Sequence, residues 1–239
     1  MAPNVPCCQK SGRDTELPSD LEEGDAVAAL ESALTYLAAN ADRFWKALGI
    51  HLELAAASLA VAAAVCIPLG IWAARSPAAG NWAMNVIEAL RVVPSLAVLI
   101  LVFPYLGFGA RTAMVALSIL ASPPILVNTY VAYRNIDPAV LEAAVGMGMT
   151  PGQILRWIET PLAAPVVMAG IRTAASEVVA SATLAAFIGG GGLGEFIVNG
   201  LAMNNVGLLL VGGIPVALLA LLAEGLLSIP EYVVRRRIR

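Results

Sequence analysis

Long runs without a charged side chain constrain this chain more than anything else in it. Leu54–Ala74, Val92–Ala110, Thr112–Tyr133 and Phe196–Ala223 contain no Asp, Glu, Lys or Arg. A fifth apolar stretch, Pro161–Ile188, is interrupted only by Arg172 and Glu177. At about 1.5 Å of rise per residue, about 20 residues cross the hydrocarbon core of a bilayer, so each run is close to spanning length. Charged residues make up 13% of the 239, against roughly a quarter or more on a water-facing surface. A large soluble helical core would be left with too little polar surface. The expected fold class is all-α: a polytopic membrane protein with about five transmembrane helices, near 52–74, 84–104, 110–133, 161–187 and 205–230. Aromatics are scarce at 6%, and the abundant Ala and Gly permit close helix packing where lipid removes the usual hydrophobic drive.

The C-terminus, Arg235-Arg236-Arg237-Ile238-Arg239, directly follows the last run. Such a cluster favours the cytoplasmic side. Counting back places residues 233–239 inside as a basic tail, the 134–160 loop inside, 188–204 outside and the N-terminus outside. Arg75, Arg134 and Arg156 then face the cytoplasm, and Arg111 is the exception. Residues 1–25 are polar, acidic and rich in Pro, Ser and Gly, the composition of a disordered segment. In 26–48, the spacing of Leu30, Leu34, Leu37, Ala41, Phe44 and Leu48 predicts an amphipathic interfacial helix. A sixth, short span there has Glu31, Asp42 and Arg43 against it. The spacing of Cys7, Cys8 and Cys66 makes no metal site or redox motif. The single histidine, His51, reads as an interface residue at the mouth of the first span.

One loop is built differently from the spans around it. Asp137 can cap a helix that starts on Pro138, Ala143-Ala144 give a small flat surface, and Gly146 and Gly148 break the helix. Thr150-Pro151 can begin a second helix, with Ile154, Leu155, Trp157 and Ile158 as its apolar face, leading to Pro161. Residues 137–158 are therefore either an interfacial loop helix or a docking knob for a soluble partner, with Glu142 free to meet a basic group.

Glu142-Ala143-Ala144, three residues, Gly148, nine residues, Ile158 and then Pro161 resembles the EAA loop of binding-protein-dependent ABC importer permeases. The resemblance extends over roughly His51–Ile229 and departs at Thr160, where the family usually has Leu. Ile67-Pro68-Leu69-Gly70-Ile71, Arg91-Val92-Val93-Pro94-Ser95-Leu96-Ala97, Pro124-Ile125-Leu126-Val127-Asn128-Thr129-Tyr130 and Ala182–Gly194 are similar to the osmoprotectant permeases for glycine betaine, carnitine, choline or proline betaine. The Gly-Leu-Gly segment also occurs in methionine permeases, which keeps methionine or another small amino acid open as the cargo. The resemblance implies a methionine-permease-like ABC fold over residues 49–232, with 137–158 as a cytoplasmic coupling loop. Glu142, Ala143, Ala144, Gly146, Gly148 and Pro161 would couple to an ATPase. It further implies a bacterial plasma membrane location, a separate nucleotide-binding ATPase carrying ATP and Mg, an extracytoplasmic substrate-binding protein, and a second copy or sister permease. A self-contained channel or secondary transporter is the rival class. Such a protein has no need of the knob and more often shows internal repeats, which are not evident here.

Several residues point to a route through the spans. Proline loosens the helical hydrogen-bond ladder, and Pro94, with Pro123-Pro124 beside Asn128 and Thr129, suggests a bend near a pathway or inner gate. Ser176, Ser181 and Thr183 either line a polar track or bond back to their own helix. Arg172 and Glu177 are intramembrane charges, costly unless paired or wet. They are five residues apart, a poor helical stacking distance. Glu177 either meets a quaternary ammonium in transit or belongs to a structural ion pair. The glycine run Gly189–Gly194 lacks the Lys-Ser/Thr of a phosphate loop. With no catalytic cluster in the sequence, the chain reads as a transporter component that is not itself an enzyme and binds no cofactor of its own.

Overall fold

The computed structural model describes residues 19–237, with side chains for 27–229 and 231. The expectation of disorder over residues 1–25 lies largely outside the described residues, as do Cys7 and Cys8 and the end of the basic tail at 238–239. Everything described is helix or tight turn. Helix α1 is Ser19–Ala39, α2 is Ala41–Arg75, α3 is Pro77–Val92, α4 is Ser95–Leu106 and α5 is Ala110–Arg134. Short helices α6 (Pro138–Gly146) and α7 (Pro151–Ile154) follow, then α8 (Thr160–Ser181), α9 (Gly194–Ala202) and α10 (Val206–Arg237).

Among the described residues, four helical stretches are long and apolar enough to cross a membrane: Ala41–Arg75, Ala110–Arg134, Pro151–Ile188 and Val206–Ile229. A fifth crossing is available only if α3 and α4 act as one broken span. The single straight helix expected over 84–104 does not form, because the two helices meet at 100°. The cause is local. Pro94 excludes the helical region for the residue before it, and Val93 is extended at φ −74°, ψ 122°. Pro94 also has no N–H to continue the ladder. The helix expected over 26–48 is likewise divided, at Asn40 (φ −128°, ψ 35°), so 41–48 are the first turns of α2 rather than part of a separate interfacial helix.

Helix α2 shows how the bundle is assembled. Beyond His51 and Leu54, its buried face runs through Ala55, Ser58, Ala62, Cys66, Gly70 and Ala73, all small and three or four residues apart. Its large apolar residues, Val61, Val65, Leu69 and Trp72, point outward. Small residues inside and large ones outside is the packing of helices in lipid. Helix α5 lies at the centre, packed against both α2 and α8, with Ala113, Ala116, Leu117, Ala121 and Ile125 fully buried. Gly70 accepts Thr129 of α5, and Gly170 of α8 accepts Asn128; a Cβ on either glycine would come within 2.7 Å of that neighbour. A second cluster, Ala33, Ala47, Leu193, Phe196, Leu208 and Val211, joins α1, the start of α2, α9 and α10.

The candidate coupling loop and pathway

The loop at 137–158 has the two-part form its residues imply. Asp137 caps α6 by accepting the Ala139 N–H at 2.9 Å, with Pro138 at the first position. The helix is closed by Gly148 in the left-handed region, φ +78°, which favours glycine; the Gly148 and Met149 N–H groups donate to the Val145 and Ala144 carbonyls at 2.9 and 3.2 Å. Gln153 Oε1 accepts from the Thr150 N–H at 2.8 Å and starts α7. Glu142, Ala143, Gly146 and Gly148 are exposed, as is Pro161. Ala144 faces inward and is 1% exposed. Val145 and Met147 stand out from the tip, Met147 at 72% exposure. This is a small knob with an apolar crest and a carboxylate beside it.

Between α7 and α8, Leu155–Glu159 makes a π-helical turn. The Leu155 carbonyl accepts both the Thr160 N–H and the Thr160 hydroxyl, the latter at 2.7 Å. Two side chains leave this turn for other helices. Glu159 Oε2 accepts from the Arg75 guanidinium at the end of α2 at 2.8 Å. The Thr160 hydroxyl lies 3.1 Å from the Tyr133 hydroxyl of α5.

The candidate pathway residues divide into two groups. Glu177 lies beside the bend between α3 and α4, lining a cavity of about 160 Å³ with Leu90, Arg91, Val93, Leu120, Pro123 and Pro124. Pro94, which makes the bend, is exposed, as is Glu177. The other residues turn to their own backbone. Asn128 donates to the Pro124 carbonyl at 2.8 Å, and the Thr129 hydroxyl donates to Ile125 at 2.7 Å. Thr129 is fully buried between α5 and α2. Ser176 donates to the Thr173 carbonyl at 3.0 Å and Thr183 to Ala180 at 2.7 Å. Ser181, half-buried, ends α8.

The bend of a broken span and the Glu177 carboxylate line one cavity, and the loop at 137–158 presents an exposed apolar crest. The family model for the inner membrane component of binding-protein-dependent transport systems matches residues 66–237. The chain belongs to this family. The permease is 41% identical over 203 residues to the carnitine transport permease protein OpuCB of Listeria monocytogenes, a match covering 85% of this chain and 93% of that one. It is 38% identical over 181 residues to the choline transport system permease protein OpuBB of Bacillus subtilis, covering 76% and 83%. It is 35% identical over 202 residues to the glycine betaine/carnitine/choline permease OpuCB of Bacillus subtilis, covering 84% and 93%. Its fold is that of the methionine ABC transporter MetNI in an inward facing conformation, with a TM-score of 0.74 at 19% identity, covering 80% of this chain and 96% of that chain. The all-α fold and the importer family expected from the EAA-type loop are thus those of the permease.

Some contacts of the permease leave little trace in the sequence. Arg172 is paired with Glu231 of α10 at 3.2 Å rather than with Glu177. Glu231 is one of two acids in Val206–Arg237, which is the only signal that could have found it. His51 is fully buried rather than at the interface. Its Nε2 lies 3.1 Å from the Val179 carbonyl, and a carbonyl only accepts, so the ring hydrogen is on Nε2. The ring is covered by Gly192, where a Cβ would come within 3.3 Å of it. At the same end, Arg43 reaches Glu195 at 3.7 Å and stacks over Phe196 at 5.6 Å.

Proposed function

We propose that the permease moves a quaternary-ammonium osmoprotectant such as glycine betaine, choline, carnitine or proline betaine into a bacterial cell, driven by ATP hydrolysis on a separate subunit. The observation that carries the solute class is the match over 203 residues and 85% of the chain to a carnitine permease, alongside matches to choline and betaine permeases of similar extent. The engine reaches the chain through residues 137–158. Glu142, Ala143, Gly146 and Gly148 form the exposed surface that a nucleotide-binding subunit grips, and Ala144 and Pro161 hold that surface in position. In this reading ATP and Mg belong to the ATPase, and a substrate-binding protein delivers solute to the outer face near α9. The C-terminus and the knob are cytoplasmic and the N-terminus is outside. A second copy or sister permease completes the route, along which Pro94 and Glu177 lie, with Asn128, Thr129, Ser176, Ser181 and Thr183 shaping the helices behind it. Arg172 belongs to an interhelical ion pair.

The test is uptake of labelled glycine betaine, carnitine, choline, proline betaine and methionine by cells that lack their own osmoprotectant transport and express the permease with its ATPase and binding protein. Accumulation of one or more quaternary amines is expected. Accumulation of methionine alone would sink the solute class. Glu142→Arg is expected to abolish co-purification with the ATPase; full uptake by that variant would remove the knob from the coupling.

A further inference from the structure

The knob must pass its motion to the spans across the π-helical turn Leu155–Glu159. That turn is a weak link in a chain of force. Its carbonyls bond one residue further along than in an α-helix, a geometry found mostly as single turns at functional sites. Pro161, two residues beyond its end, has no N–H to contribute. None of its residues is buried. Pushed from α6 and α7, such a turn can change its winding and absorb the motion before it reaches α8. Two lateral contacts oppose this. The stronger is Glu159 with Arg75, at 2.8 Å and hydrogen-bonded. The Glu159 side chain is only 14% exposed, so this pair is less screened than an ordinary surface bridge. Arg75 is the last residue of α2, and α2 packs along the central helix α5. The second contact, Thr160 with Tyr133, reaches α5 directly.

We propose that the Arg75–Glu159 pair is a strut that carries displacement of the coupling loop into α2, making Glu159 and Arg75 positioning residues for transport. This rests on the reading of residues 137–158 as the ATPase contact. The strut lets one handle move two sides of the bundle: α8 through the chain itself, and the α2–α5 pair through the ion pair. Without it the π turn yields, ATP is still hydrolysed, and fewer solute molecules cross per cycle.

The experiment uses the complete importer in proteoliposomes, with solute uptake and ATP hydrolysis measured in the same vesicles. The variants are Glu159→Gln, Arg75→Gln and the exchange Arg75→Glu/Glu159→Arg. Each single variant is expected to assemble with the ATPase and hydrolyse ATP, while solute moved per ATP falls by about fivefold or more, the lower end of typical coupling between sites. The exchange is expected to recover most of that ratio. An unchanged ratio in Glu159→Gln overturns the strut. So does a parallel fall in uptake and hydrolysis that the exchange does not reverse, since that marks a folding contact. If Glu159→Gln assembles poorly, Arg75→Gln carries the comparison, because Arg75 is half exposed; poor assembly of both overturns the proposal. Failure of the wild-type complex to hydrolyse ATP in response to solute-loaded binding protein would overturn the coupling reading and the strut with it, whereas a change confined to the variants bears on the strut alone.

Discussion

A methyl group built on Gly194 would overlap the carbonyl of Thr183, and backbone on both sides leaves little room to give way. Gly194→Ala should therefore lower stability by about 2 kcal/mol, the usual cost of overpacking. Gly213→Ala and Gly225→Ala, whose surroundings are empty to 4 Å, should leave it unchanged or slightly raised. Thermal unfolding in detergent separates the three. The Arg172–Glu231 pair invites a different comparison. Arg172→Met strands a Glu231 that is only 18% exposed, which should cost about 2 kcal/mol, somewhat less than for a fully buried pair. Arg172→Met/Glu231→Leu should recover most of the loss, because removing both charges removes the desolvation penalty with them. A double-mutant cycle on unfolding reads the coupling directly.

Among the helices, the bend between α3 and α4 is the element most open to test. Labels at Trp82 and Tyr105, both exposed, would be about 35 Å apart on a straight helix and about 22 Å apart across the observed 100° bend. Pro94→Ala removes the restriction on Val93, so spin-label distances should gain a longer population. An unaltered distance distribution would mean that packing alone holds the bend. This is also where the sequence was hardest to read. Val92–Ala110 is apolar throughout, and hydropathy averages straight across a break; only the Val93-Pro94 step records it. The long helices α2, α5, α8 and α10 were legible because lipid demands an unbroken apolar run of a given length. The knob was legible because caps and glycines at Asp137, Pro138, Gly148 and Thr150 act locally. The π turn at 155–159 has no residue pattern of its own. Arg75–Glu159 and Arg172–Glu231 join residues far apart in the chain, and such contacts leave no periodicity for a single sequence to display.

At the scale of the whole molecule, the described residues form two apolar clusters. The larger one, around Leu99, Leu117, Ile125 and Val178, is the bundle proper. The smaller is built partly from α1. Removing residues 1–39 should lower the unfolding temperature by several degrees, yet leave a chain that inserts and still co-purifies with the ATPase. Loss of insertion would make α1 part of the bundle's foundation. The bend has one more consequence at this scale. At the end of α3 the Leu90 carbonyl takes the Val93 N–H at 3.2 Å, but a terminated helix has other carbonyls with no turn ahead of them. Open backbone at membrane depth persists only within protein or against water. Pro94 is exposed in the single chain, so protein or water must meet this step, and a bare gap there would leak protons and small ions. Electrical tightness therefore depends on what covers the Pro94 step.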